Sequence, residues 1–146
     1  MKKNLAIAGM VGALALAGCS AMEKMGDKMS GGGEHVTLTG ANEVPPVQTG
    51  ASGSGTVTVN SDKTVKVDIK VSGMQPTAAH IHEAAAGSNG PVIVPFVKQG
   101  DDTFVAPPGA KMTAAQLEAF KAGRTYVNVH SAAHAGGEIR AQLKGN

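Results

Sequence analysis

The sequence predicts an all-β domain, an antiparallel β-sandwich of the immunoglobulin-like type with one short helix inserted. Apolar residues recur at every second position in several short runs, and turn-forming residues separate these runs. Only one segment carries the start and stop signals of a helix. Short alternating strands with so little helix are typical of two packed sheets, so we expect one sandwich of about seven strands.

Alternation defines the strands of the first half of the domain. Val36 and Leu38 alternate with threonines, as do Val57 and Val59, and the aliphatic residues from Val65 to Val71 alternate with charged ones. Each pattern predicts a strand with one buried face and one wet face.

Turn-forming residues separate these strands. The segment from Asn60 to Lys63 predicts a hairpin between the second and third strands. Pro45-Pro46 and the stretch from Gly50 to Gly55 predict a loop and a strand entrance rather than a central strand.

The second half of the domain contains an edge segment and the helix. The stretch from Pro91 to Val97 is apolar and extended, but its two prolines confine it to a sheet edge or a bend. Phe104 and Val105 predict a further short strand. Thr113 and Gln116 have the spacing of a capping box, so a helix should begin there and end at Gly123. Met112 should pack on Leu117 as a hydrophobic staple. The last two strands are predicted at Thr125 to His130 and at Glu138 to Leu143.

Two features precede the domain. Residues 1–18 have the charged, apolar and small-residue regions of a secretory signal, and the apolar run is too short to span a bilayer permanently. The segment Leu16-Ala17-Gly18-Cys19 resembles the bacterial lipobox, in which the cysteine is acylated and begins the mature chain. This resemblance implies a lipid-anchored protein of the bacterial cell envelope, and Ser20 favours the outer membrane, facing the periplasm. An ordinary signal peptide with a chance cysteine is the alternative.

A tether is expected at residues 19–33, before a domain at 34–146. Met22, Met25 and Met29 have helical spacing, and their thioethers are ligands that suit copper(I). A flexible linker without metal is the other interpretation of this segment.

Composition excludes two classes of function. The formal net charge of +2 becomes zero when the two lysines of the signal are removed, so we expect no nucleic-acid partner. Cys19 is the only cysteine, so its acylation would leave no thiol for a disulfide or for redox chemistry.

A strand with two histidines is the main candidate for a functional site. His80 and His82 share one face, because alternate residues of a strand point the same way. Such a pair is either half of a metal site or the polar outer face of a half-buried strand. His130 adds a third imidazole on a polar strand face, and His134 adds a fourth in the loop beyond it. Imidazole suits Cu(II) and Zn(II), so the added histidines favour the metal interpretation.

Three charged residues adjoin these histidines. Glu83 and Glu138 either orient imidazoles by accepting their free ring N–H groups or face solvent. If His130 pairs near Glu138, then Asn128 pairs near Arg140 on the same polar face. Arg140 therefore either guides anions to the site or is a cross-strand polar partner. The fifth histidine, His35, is expected to be a solvated residue of the first strand.

Two resemblances add to this prediction. The stretches AHIHEAAAGSNGPVIV and LEAFKAGRTYVNVHSAAHAGGEIRAQL together resemble the chordin-type domain called CHRD, over nearly all of His35 to Leu143. That resemblance implies a domain type but no particular chemistry.

The second resemblance, which is more distant, is to copper/zinc superoxide dismutase. The sandwich of that enzyme carries a His-Val-His-Glu strand and a later Gly-Arg-Thr followed by an apolar run ending in Val-His. The resemblance implies copper ligands at His80, His82 and His130. No histidine lies between His82 and His130, so the bridging imidazolate and zinc ligands of the dismutase are missing. Any metal site is then mononuclear, and His134 would complete four-coordination.

We therefore expect an envelope lipoprotein that binds one copper ion, with zinc as the alternative, for copper handling or tolerance. A second hypothesis is a non-catalytic interaction module of the CHRD type with structural histidines. A third is a copper oxidoreductase with dismutase-like activity. The sequence contains no nucleophilic serine turn, paired catalytic carboxylates or phosphate-binding glycine loop. The membrane and the metal ion are the expected partners, and the sequence names no protein partner.

Overall fold

The computed structural model describes residues 32–145, so the predicted signal, Cys19 and most of the tether lie outside the described residues. This part of the chain forms nine strands and one α-helix. A short 3-10 helix, Gly40–Asn42, follows the first strand. The strands are β1 Glu34–Thr39, β2 Ser52–Val59, β3 Val65–Ser72, β4 Pro76–Glu83, β5 Val92–Pro95, β6 Val97–Gln99, β7 Thr103–Val105, β8 Thr125–Ser131 and β9 Ile139–Leu143, and the helix is α1 Ala114–Lys121.

The strands form one antiparallel sheet that nearly closes on itself. Their order is β5-β4-β8-β9-β1-β2-β3-β7-β6. The two ends of the sheet approach each other at the bend between β5 and β6, where the Phe96 N–H donates to the Ala79 carbonyl oxygen over 3.0 Å. The predicted class, an all-β sandwich-like fold with one short helix, is confirmed.

The core lies inside the curved sheet and follows the predicted alternation. In β3 the aliphatic residues from Val65 to Val71 are buried and the residues between them are exposed. In β1 Val36 and Leu38 are buried, while His35 is exposed. The predicted hairpin joins β2 to β3 and places Val57 opposite Val67. These strands therefore have the predicted register, with one face in the core.

The glycine-rich stretch before Val57 differs from the prediction. Gly53 and Gly55 lie within β2, which pairs with β1 on one side and β3 on the other, so the predicted loop and strand entrance is wrong from Ser52 onward. A β-carbon on Gly55 would collide with the backbone of Asp68 and would lie 2.7 Å from the Ile69 Cα atom. A glycine in a strand often marks such a close backbone approach, so this one does not interrupt the strand.

The edge segment and the helix agree with the prediction. The bend at Phe96 separates β5 from β6, which lie at opposite ends of the sheet. The capping box is present, because Thr113 Oγ1 accepts from Gln116 N over 3.1 Å and Gln116 Oε1 accepts from Thr113 N over 2.8 Å. The helix ends before Gly123, whose φ of +72° is a conformation that favours glycine. Within residues 32–145, no helix has the length and apolarity to cross a membrane.

Candidate metal centre

Three histidines of neighbouring strands meet on one face of the sheet. His80 and His82 lie in β4 and His130 lies in β8, and the pairing of these strands places His80 opposite Asn128 and Ala78 opposite His130. One ring nitrogen from each histidine lies within 4.8 Å of the other two. The shared polar face predicted for the three histidines is therefore present, and among residues 32–145 they form a group that could hold a metal ion.

The spacing of the rings is close to that of ligands on one ion. His80 Nδ1 lies 3.1 Å from His130 Nε2. Two nitrogens bound to a single ion at the usual metal–nitrogen distance lie about 2.9 Å apart in square-planar geometry and about 3.3 Å apart in tetrahedral geometry. The ring centroids of His82 lie 5.4 Å from His80 and 6.0 Å from His130. The 3.1 Å separation fits two ligands of one ion as well as a hydrogen bond between the rings, and a nitrogen of His82 lies within 4.8 Å of both.

Backbone carbonyl groups set the tautomers of two rings. The Gly90 oxygen lies 2.9 Å from His82 Nδ1, and the Ala135 oxygen lies 2.9 Å from His130 Nδ1. A carbonyl only accepts hydrogen bonds, so each Nδ1 carries the proton and each Nε2 of a neutral ring keeps its lone pair. His82 Nε2 is buried and has no hydrogen-bond partner. Both rings therefore keep an unprotonated Nε2, which has no partner in His82 and accepts a hydrogen bond from His80 Nδ1 in His130.

The electrostatic environment keeps two of the rings neutral. Burial, together with the nearby His130 and His82 rings, lowers the pKa of His80 from 6.5 to about 4. Burial also lowers the pKa of His82, although the hydrogen bond to Gly90 opposes this shift. Only neutral imidazole ligates metal, so both rings are in the ligating form at neutral pH.

His82 stacks on the Tyr126 ring, which in turn contacts the Arg140 guanidinium group. The Tyr126 ring is parallel to the His82 ring within 5°, with a centroid separation of 4.8 Å. The Arg140 guanidinium carbon also lies over the Tyr126 ring, 3.5 Å from its centroid. Arg140 is only 2% exposed and lies opposite Asn128 in the β8–β9 pairing, as predicted. The stack limits the orientations that the His82 ring can adopt.

The loop between β4 and β5, residues 84–91, covers this stack. Arg140 donates to the Ser88 carbonyl oxygen over 2.9 Å and to Asn89 Oδ1 over 3.2 Å. The Gly90 N–H donates to the Tyr126 hydroxyl oxygen over 3.1 Å. Buried polar groups of β8 and β9 thus hold the loop whose Gly90 carbonyl orients His82.

The polar face of β8 and β9 is more deeply buried than a polar outer face in contact with water would be. Asn128 and Arg140 are each 2% exposed, and Glu138 is 7% exposed. Alternation correctly separated these residues from the aliphatic ones. Arg140 is nevertheless shielded from water, because the 84–91 loop lies over it and over Gln142.

The predicted carboxylates and the fourth histidine have other contacts. Glu138 accepts from Thr49 Oγ1 over 2.7 Å. Burial raises the pKa of Glu138, but hydrogen bonds from Ser131 and Thr49 and the nearby His134 ring lower it below its usual value overall. Carbonyl oxygens, not the side chains of Glu83 or Glu138, accept from the two oriented rings. The orienting role of the carboxylates stays a prediction.

His134 lies in the turn between β8 and β9. Its backbone N–H donates to Ser131 Oγ over 3.1 Å. Its ring is not part of the group of three histidines. The proposed role of His134 as a fourth ligand therefore also stays a prediction.

The sequence did not indicate Glu43, a second buried polar residue beside Asn128, which alternation had already placed on the polar face. Glu43, in the loop after the 3-10 helix, is 5% exposed, and its Oε1 atom has no hydrogen-bond partner. Burial raises its pKa, while Arg140 and Asn128 oppose that shift. Asn128 Oδ1 is likewise buried without a partner. Asn128 lies two residues before His130, so alternation places both on the polar face. No pattern in the sequence around Glu43 indicates that it lies near Asn128.

Comparison with known proteins gives one match. The model of the CHRD domain family matches residues 35–143, which is most of the chain and includes the three clustered histidines. No curated protein and no solved structure matches the sequence. The distant likeness to superoxide dismutase stays a hypothesis. The match over residues 35–143 shows that the chain belongs to the CHRD domain family.

Proposed function

We propose that this CHRD domain binds a single copper ion through His80, His82 and His130, with zinc as the alternative ion. The observation that carries the proposal is the convergence of three ring nitrogens within 4.8 Å. Imidazole is a preferred ligand of both ions, and three protein nitrogens leave a coordination position for water or for His134. The fixed Nδ1–H tautomers of His82 and His130 support the same proposal, because they leave Nε2 of each ring unprotonated.

The biological setting is part of this proposal. Acylation of Cys19 would anchor the chain in a bacterial envelope, at the outer membrane facing the periplasm. A lipid-anchored domain with one half-exposed copper site suits copper handling or tolerance. The methionines of the tether suit copper(I), so they would add a second, weaker site for the same element.

Metal titration tests the proposal directly. The chain without residues 1–19, and with Met22, Met25 and Met29 replaced by Leu, is freed of metal and titrated with Cu(II), Cu(I) and Zn(II). The methionines are replaced so that any copper bound belongs to the domain. We expect one ion per chain. Alanine at any of the three strand histidines should nearly abolish binding, because two imidazoles and water are a much weaker set of ligands.

Two control variants separate the site from unspecific binding. His35→Ala removes an exposed histidine of β1 and should leave the affinity unchanged. His134→Ala should weaken binding less than the strand variants, because water can replace a loop ligand. If no ion binds tightly, or if His80→Ala and His130→Ala bind as well as the parent chain, the histidines are structural and the interaction module is the better hypothesis. Turnover of superoxide by the copper-loaded chain would instead favour the dismutase-like oxidoreductase.

A further inference from the structure

Glu43 is a buried carboxyl group that the proposed metal site does not use as a ligand. It lies directly after the 3-10 helix, and the next residue ties it to the loop that covers the site, because Asn89 Nδ2 donates to the Val44 carbonyl oxygen over 2.7 Å. Its Oε1 atom is buried without a hydrogen-bond partner. An ionised carboxyl group that is buried without a hydrogen-bond donor destabilises the folded protein, so the presence of Glu43 here requires an explanation.

The surroundings of Gly137 show how close Glu43 is to Asn128. A β-carbon on Gly137 would lie 2.5 Å from Asn128 Nδ2 and 2.6 Å from Glu43 Oε1, so these two atoms flank one point and lie within about 5 Å of each other. Asn128 in turn lies opposite His80 in the strand pairing, and its side chain interacts with His82. One amide side chain therefore separates Glu43 from the histidines.

Three acceptors of this layer have no hydrogen-bond partner, although Arg140 and the amide nitrogen of Asn128 lie close to Glu43. Glu43 Oε1, Asn128 Oδ1 and His82 Nε2 are all buried and all lack a partner. The ring proton of His82 is already used on the Gly90 carbonyl, so its Nε2 is an acceptor as well. Buried acceptors without donors are unfavourable, and a bound cation is a direct way to compensate them.

Charge balance gives the carboxylate a specific role. A divalent ion beside the buried Arg140 guanidinium brings further positive charge into a poorly hydrated region. We propose that Glu43 compensates this charge and makes the site select a divalent over a monovalent ion, Cu(II) over Cu(I). The inference rests on the proposed metal site. Coulomb attraction scales with the charge of the ion and is weakly screened in a buried layer, so Glu43 stabilises Cu(II) twice as strongly as Cu(I).

The test compares both oxidation states in one variant. Glu43→Gln keeps the shape of the side chain and removes its charge. In the chain with the tether methionines replaced, the affinities for Cu(II) and Cu(I) are measured by competition with chromophoric chelators. We expect the Cu(II) affinity to fall roughly tenfold more than the Cu(I) affinity. That ratio corresponds to a rise of about 60 mV in the one-electron reduction potential, which voltammetry measures independently.

Glu34→Gln is the matched control. Glu34 is buried to a similar extent, at 8% exposure against 5% for Glu43, but the backbone N–H groups of Lys144 and Gly145 satisfy its carboxylate by hydrogen bonds. Its substitution should leave the ratio of the two affinities within about threefold of the parent value. Glu43→Met provides a second uncharged variant in case Glu43→Gln folds poorly, and it should shift the ratio in the same direction.

The outcomes distinguish this inference from the proposed function. Equal losses of Cu(II) and Cu(I) affinity in the folded Glu43 variants, or no loss, would overturn the selective role of Glu43 and leave the three-histidine site intact. The same shift in Glu34→Gln would also overturn it, because any buried carboxylate would then have this effect. A parent chain that binds neither ion would overturn the metal site itself.

Discussion

Arg140→Lys is the substitution for which the structure gives the clearest expectation, because it keeps a buried charge and removes only the planar guanidinium. Arg140 donates to Ser88, Asn89 and Gln142 and stacks on Tyr126. A lysine ammonium can replace one of these hydrogen bonds in this geometry but not all three. Two lost charge-assisted hydrogen bonds at about 1.5 kcal/mol each, the lower end of their range, and a weakened cation–π contact give an expected loss of about 3 kcal/mol in unfolding free energy.

Urea unfolding of the metal-free chain measures this loss. Arg124→Lys is the control, because Arg124 is the other arginine of the chain and is exposed. It should change the unfolding free energy by less than about 0.5 kcal/mol. Arg140→Lys should also speed amide hydrogen exchange at Gly90, whose N–H the stack holds. It should weaken copper binding, because the Gly90 carbonyl orients His82. The proposed role of Arg140 in holding the 84–91 loop is wrong if Arg140→Lys lowers the unfolding free energy by less than about 1 kcal/mol. It is also wrong if Arg124→Lys lowers the unfolding free energy by as much.

Three further predictions address the core, the anchor and pH. Val67→Asp should lower the unfolding free energy by about 4 kcal/mol or more, because a nearly buried aliphatic side chain becomes an unpaired carboxylate. Lys66→Asp, one residue away on the exposed face, should hardly change the melting temperature, and equal effects would contradict the register of β3. Cys19→Ala should release the protein from the membrane fraction, and an intact mass without lipid on the wild-type chain would contradict the anchor. The unfolding free energy of the metal-free chain should decrease as pH falls from 6.5 to about 4. In this range His80 is protonated in the unfolded chain but not in the folded one. Below this range both states are protonated, so His80 causes no further decrease. Chemical denaturation in chelator across this range should show a flatter slope for His80→Gln, and an unchanged slope would refute the assignment.

Local patterns in the sequence were sufficient to predict much of the fold. The period-2 alternation from Val65 to Val71 predicted which residues of β3 are buried, because a strand turns successive side chains to opposite faces. The spacing of Thr113 and Gln116 predicted the start of the helix, because both halves of a capping box lie within one turn. The prediction that the stretch from Gly50 to Gly55 is no part of a central strand failed, because the close approach of Asp68 to Gly55 comes from another strand.

The same distinction applies to the site. Alternation placed His80 and His82 on one face, and the alternation of β8 placed His130 on a polar face, so the three histidines could be proposed as a group from the sequence alone. Alternation also marked Asn128 and Arg140 as polar neighbours. It could not reveal that this face is dry, because periodicity reports which side chains share a face and not what covers that face.

Only the tertiary structure decided how the site is covered and charged. The 84–91 loop reaches Arg140 across about fifty residues of chain, and the loop that carries Glu43 approaches Asn128 from about eighty-five residues away. Neither contact leaves a local pattern, because each depends on how the curved sheet brings distant segments together. The sequence by itself therefore indicated which histidines are candidate ligands of a metal ion. The tertiary structure determined the burial that lowers the pKa of His80, the carbonyl groups that set two tautomers, and the carboxyl group beside the centre.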